Sequence, residues 1–143
     1  RGADLVVNYK DLPGELAKHD ITWVDYIFIL NDTDGHWANV SKLIAPQGHI
    51  CTIVENEHPL DQNELKLKSA ALHWEFMYTR SMYQTADMAR QGEILNAVAK
   101  LVDEGIVESS LSETLHGLSV ETLQQAHDKV LEGHMRGKVV IAY

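Results

Sequence analysis

A single cysteine, three prolines and two phenylalanines stand in a sequence of 143 residues. The lone thiol, Cys51, excludes an internal disulfide and with it a small cross-linked secreted scaffold. No run approaches the roughly 18 consecutive apolar residues that a membrane-spanning helix needs. Basic residues are scarce: 12 Lys and Arg against 21 Asp and Glu leave a net charge of −9. No basic field therefore exists to gather nucleic acid or anionic lipid, and neither partner is expected. The nine glycines form neither G-x-G-x-x-G nor a Walker loop, so nothing here cradles a pyrophosphate by itself. H-E-x-x-H, C-x-x-C and G-x-S-x-G are missing as well, which removes the usual local signatures of zinc hydrolases, zinc ribbons and serine hydrolases. There is no repeat, no low-complexity tract and no Pro-, Gly- or Ser-rich linker. The start, Arg1-Gly2-Ala3-Asp4, carries no basic-apolar leader and is expected to lie in the middle of a fold, with the cytoplasm as the default compartment.

What is present is an apolar fraction of 45%, enough for one sizeable core. Leu5 to Tyr9 reads as a short strand, closed by a turn at Lys10-Asp11 and Pro13-Gly14. Val24 to Leu30 is almost continuously apolar and β-branched or aromatic, as in a parallel strand covered on both faces. A polar loop, Asn31 to Gly35, follows. Trp37, Val40, Leu43 and Ile44 then make a helical stripe halted by Pro46-Gln47-Gly48, and His49 to Val54 is the next strand. Strand, helix and strand over residues 24 to 54 form a βαβ unit, which implies an open α/β sheet with parallel strands.

Beyond the polar segment 55 to 69, Ala71 to Tyr78 gives another β-like run and Thr85 to Glu104 a long helix. Its apolar face is Ile94, Leu95, Val98, Leu101 and Val102, and Gly105 is its left-handed stop. Ser119 caps a further helix whose Val120, Leu123, Val130 and Leu131 are expected to face inward, with Gly133 closing it. Lys138 to Tyr143 is a final strand.

Ligands of parallel α/β sheets bind at the carboxyl ends of the strands, so the loops after Tyr9, Leu30 and Val54 are the places to look. Asp32-Thr33-Asp34-Gly35 echoes part of a calcium loop, but that register puts Leu30 at the first ligand position and Ser41 at the twelfth. Of the eight histidines, His49-x-Cys51 points two side chains to one face of a strand, while His73 and His127 read as structural. The sequons at Asn31 and Asn39 read as chance. Trp74, Met77, Tyr78, Met82 and Tyr83 cluster around a strand exit and suit packing or an interface better than a pocket wall.

Three stretches, Gly2 to Lys10, Val24 to Phe28 and Leu43-Ile44-Ala45-Pro46-Gln47-Gly48-His49-Ile50, together resemble a run in the medium-chain dehydrogenase/reductase superfamily. Leu95 to Val102, Glu104-Gly105, Leu123 to His127 and Arg136-Gly137-Lys138-Val139-Val140 resemble the C-terminal end of the same proteins. Residues 73 to 85 resemble the zinc-type alcohol dehydrogenase-like subgroup, near the quinone oxidoreductases.

The resemblance implies a partial Rossmann-like parallel sheet with flanking helices over residues 1 to 105, and a return segment to a GroES-like substrate domain over 106 to 143. It implies hydride transfer between NADPH and a carbonyl, enone or quinone in an intact parent, the isolated piece being inactive. Catalytic donors and any zinc ligands would lie upstream, which leaves zinc open. The cofactor-contacting positions it implies are Tyr9 at the adenosine 2'-phosphate, Asn31 and Thr33 beside the nicotinamide ribose, Ile53 and Val54 at the carboxamide, and Arg136 near the phosphates. Because two family strands that normally lie between Leu5 to Tyr9 and Val24 to Leu30 have no counterpart here, the first run is expected to be displaced, swapped or re-paired with residues 24 to 30. The alternative function is a noncatalytic assembly module, a homodimer formed through the edge strand 71 to 78.

Overall fold

The computed structural model describes residues 2 to 143, and Arg1 lies outside them. They pack as two units, one ending at Met82 and the other spanning Tyr83–Tyr143.

In the first unit, α1 (Leu12–Ala17) is followed by β1 (Val24–Ile29), α2 (Thr33–Leu43), β2 (Ile44–Thr52), the single turn α3 (Asn63–Lys66), β3 (Ala71–Trp74) and α4 (Thr79–Met82). The sheet order is β1-β2-β3, all parallel. The α/β class read from the sequence is therefore the one observed. Register places Ile27, Ile50 and Leu72 in one row, and α2 and α3 pack over that face. The core is Ile29, Trp37, Val40, Ile44, Ile50 and Leu65. The opposite face carries Tyr26, Phe28, His49, Cys51 and His73, and its aromatic residues on β1 stand open: Tyr26 is 72% and Phe28 66% exposed.

Pro46-Gln47-Gly48 does not separate the helix from the strand. β2 begins at Ile44, which pairs with Val24, and the three residues form an irregularity inside the strand before pairing resumes at Tyr26↔His49. Gln47 takes φ 63°, and a Cβ on Gly48 would sit 2.7 Å from Ile44 Cδ1 and 2.9 Å from the Asp25 carbonyl. Glycine is thus required there by close approach of two strands. Lys68 secures the same corner: its backbone carbonyl accepts from Gln47 N, and its ammonium donates to the carbonyls of Ser41, Lys42 and Ile44 that end α2. Burial pushes this ammonium's pKa down, and the charge answers the negative end of the helix.

Three expected features are corrected. Leu5 to Tyr9 is not a strand and is not re-paired with β1, whose sheet neighbour among the described residues is β2. Val6 is 84% exposed, and Asn8 instead caps a 3-10 turn at Tyr9–Asp11 that leads into α1. A β-prone run without a ladder partner has nothing to offset the entropy of ordering it. The edge strand predicted over 71 to 78 stops at Trp74, because after Glu75 the chain turns, with Thr79 N bonded to Phe76 O.

The second unit holds α5 (Arg90–Asp103), β4 (Leu111–His116), α6 (Val120–Leu131) and β5 (Lys138–Ala142). β4 and β5 are parallel and joined through α6. Gly105 and Gly133 stop the helices at φ 71° and 69°, and Ser119 with Thr122 forms a reciprocal cap. The third correction concerns the apolar stripes: Leu95 is 63%, Val130 61% and Leu131 82% exposed, so these faces do not turn into a core. Amphipathic spacing records which face seeks cover, but cover must come from another surface. Contacts divide the chain after Met82; the boundary near residue 105 concerns placement within a longer protein and returns below as a proposal.

Candidate functional site

The site forms where β1 and β2 end side by side. Asp32 caps α2, its carboxylate accepting from Gly35 N at 2.8 Å, so the helix N-terminus opens at the strand ends. Beneath it, Thr52 Oγ1 lies 2.7 Å from Thr33 Oγ1, and the Thr33 hydroxyl donates to the Val54 carbonyl at 2.5 Å. Thr33 is 1% and Thr52 0% exposed. Two hydroxyls satisfied by one another and by a carbonyl tie the start of α2 to the end of β2.

Above this tie is a cleft of about 340 Å³ walled by Asn31, Thr33 and Val54, with Asp32, Asp34, Glu55, Glu57 and His58 around it. Asp34 accepts from the backbone N–H groups of Glu57 at 2.7 Å and His58 at 3.2 Å. The Glu57 amide, then that of His58 and its imidazole, hold the Asp34 carboxyl below the usual carboxylate range. The carboxylate thus pins the loop after β2 against α2. A neighbouring hollow of about 270 Å³ shares Asn31 and includes His36. The Tyr9 ring meets His36 edge-on, with centroids 5.9 Å apart.

Of the six residues expected at a cofactor, the structure brings Asn31, Thr33 and Val54 into one cleft. Ile53 adjoins it, bonded through its N–H to Ile29 O and 47% exposed. Tyr9 stands against His36 and is 61% exposed. Arg136 belongs to the second unit, in the irregular segment between α6 and β5. Thr33 positions rather than presents its hydroxyl, which is already committed. Sequence reasoning missed Thr52 and Asp34. Thr52 carried one signal, a hydroxyl inside an apolar strand; Asp34 carried none that separates it from its neighbours.

Four carboxylates surround the cleft, so it repels phosphate and suits a neutral, hydroxyl- or amide-bearing group that can donate to them. Among the described residues no three His, Cys, Asp or Glu side chains are grouped to hold a metal ion. Among them, too, no helix is long and apolar enough to cross a membrane.

The family model for zinc-binding dehydrogenases matches residues 1 to 141. A zinc-type alcohol dehydrogenase-like protein of Staphylococcus aureus is 40% identical over 141 residues, which cover 98% of this chain and 42% of that protein. Its Staphylococcus epidermidis counterpart is 39% identical over 142 residues, with the same coverage of 98% and 42%. A Rhizobium etli structure of zinc-dependent alcohol dehydrogenase type superposes with a TM-score of 0.85 at 38% identity, covering 99% of this chain and 42% of that one. The fold alone is shared with CurA of Vibrio vulnificus, solved with NADPH, at a TM-score of 0.66 and 20% identity over 98% of this chain and 43% of CurA. The chain thus spans about two fifths of the length of the relatives it matches.

Proposed function

The chain belongs to the zinc-binding dehydrogenase family, and on that premise we propose that it supplies the later cofactor-binding portion of an NADPH-dependent oxidoreductase. The observation that carries this reading is the cleft at the carboxyl ends of two adjacent parallel strands, opening on a capped helix N-terminus. Asn31 and the backbone at Val54 would meet the nicotinamide ribose and carboxamide, and the acidic wall favours that neutral half over the phosphates. Thr33 and Thr52 hold these groups in place. Tyr9, which is 61% exposed, and Arg136 would serve the adenosine phosphate end. Residues 1 to 105 would belong to the dinucleotide-binding domain and 106 to 143 to a segment returning to the substrate domain. The reaction is hydride transfer between the nicotinamide and a carbonyl, enone or quinone in a soluble cytoplasmic enzyme. Proton donors, and any zinc, would come from other parts of such an enzyme, so this chain alone is inactive and holds cofactor weakly.

Titration of the 143-residue chain with NADPH, followed by amide NMR, tests this. The expected dissociation constant is about 1 mM, worth roughly 4 kcal/mol, with the largest shifts at residues 31 to 34 and 53 to 58, smaller ones at Tyr9 and Arg136, and binding weakened by Asn31→Ala. Saturation without movement of those amides would refute the placement.

A second reading is favoured by one observation: β3 is a sheet edge among the described residues, and Trp74 on it is 52% exposed. An open edge invites pairing with a second copy. Assembly through it predicts a concentration-dependent dimer in light scattering that Trp74→Lys abolishes; a monomer at high concentration would count against it.

A further inference from the structure

On the premise that the cleft is the cofactor site, we propose that Asp34 is a positioning residue for the nicotinamide end, holding the chain after β2 in the shape that presents the Val54 backbone. The first turn of α2 grips that chain at two points. Thr33, 1% exposed, donates its hydroxyl to the Val54 carbonyl at 2.5 Å. The next residue, Asp34, accepts from the backbone N–H groups of Glu57 at 2.7 Å and His58 at 3.2 Å. Consecutive residues of one helix thus fix both ends of the segment 54 to 58. Between these anchors Asn56 Nδ2 donates to the His58 carbonyl at 2.7 Å and closes the turn.

The chemistry explains why a carboxylate stands at this position. Its two oxygens are divided, Oδ2 to Glu57 and Oδ1 to His58, so each amide has its own acceptor. An amide side chain offers one such oxygen, and a hydroxyl cannot span the fork. Bonds to an ionised acceptor are about twice as strong as neutral ones. The Glu57 and His58 amides hold the Asp34 carboxyl below the usual carboxylate range, so it is charged at neutral pH. Its place in the first turn of α2 adds the attraction of the helix's positive end.

No residue from 53 to 58 is fully buried, so hydrogen bonds rather than apolar packing set the path of this segment. Asp34 has no part in the core. Its loss is therefore expected to loosen the wall of the cleft and leave the sheet intact. Glu55 supplies the comparison, because it carries a charge on the same wall but bonds neither of the two amides.

The test is NADPH titration and amide hydrogen exchange, both read by NMR, on the 143-residue chain and on Asp34→Ala, Asp34→Asn and Glu55→Gln. Without nucleotide, Asp34→Ala is expected to exchange the Glu57 and His58 amides about tenfold faster, with β2 amides unchanged. Its dissociation constant for NADPH should rise about threefold or more. Asp34→Asn keeps the volume and one acceptor oxygen, and should fall between that variant and the parent. Glu55→Gln should change binding by less than about twofold. Equal weakening by Asp34→Ala and Glu55→Gln would mean that the wall acts through charge alone, and would overturn the role given to Asp34. So would unchanged binding in Asp34→Ala when the parent's amides at 31 to 34 and 53 to 58 shift with NADPH. Parent amides that stay still there at saturation would instead overturn the cofactor reading of the cleft, and the role of Asp34 with it.

Discussion

Ile50→Ala is expected to lower the chain's stability by about 2 to 5 kcal/mol, the range for a buried branched aliphatic truncated in a core that cannot collapse around the gap. Ile50 is 0% exposed, lies in register between Ile27 and Leu72, and packs with Trp37, Val40, Ile44 and Leu65. Every buried apolar side chain of the described residues is in this first unit, so one central deletion removes a large share of what holds the sheet. Small domains hold only about 5 to 15 kcal/mol in all, and a chain with few buried residues sits low in that range. The control is Phe28→Thr, on β1 but on the open face and 66% exposed, where a β-compatible replacement costs under about 1 kcal/mol. Urea denaturation followed by circular dichroism measures both. Equal midpoints for the two variants would mean that the core is not where the structure puts it.

The contrast between those two side chains marks how far the sequence could be read. The apolar run at Val24–Ile29, the helix stripe through Trp37 and Val40, and the stops at Gly105 and Gly133 were legible, because each depends on local periodicity or on a residue that tolerates positive φ. β4 went unread: its inward Glu113 is held by Lys129 at 2.9 Å, so the strand lacks the apolar alternation that announces one. The bulge at Pro46 to Gly48 looked like a helix stop, since proline and glycine punctuate both. Leu5 to Tyr9 has the composition of a strand, but pairing is a property of two segments.

The site divides in the same way. Asn31 and Val54 followed from the rule that parallel sheets bind at strand ends. The Thr33–Thr52 tie joins residues 19 apart, so only the fold brings them together. Sequence spacing told which side chains share a face; only the fold told which of them touch.

The same reasoning sets the largest contrast within the molecule, in backbone protection. Amides of α5 and α6 are expected to exchange with solvent deuterium orders of magnitude faster than those of β2. In the second unit no described residue is buried, and the stripe of α5 stays open: Ile94 and Val98 are each 45% and Leu95 63% exposed. An isolated helix of fewer than about 12 to 15 residues is marginal in water. α5 has 14 residues and α6 has 12, and neither buries a residue fully, so little offsets chain entropy. The cap at Ser119 and the ion pairs Arg90–Glu93 and Lys100–Glu104 add only a few tenths to about 1 kcal/mol each. β2, by contrast, is bonded on both sides and carries Ile44 and Ile50 at 0% exposure, so its amides open only when the unit unfolds. Hydrogen exchange resolved by peptide should show residues 90 to 131 exchanged within seconds while residues 48 to 52 remain protected. Equal protection in both would mean that the stripes on α5 and α6 are covered in solution, and dilution would then tell whether a second copy covers them.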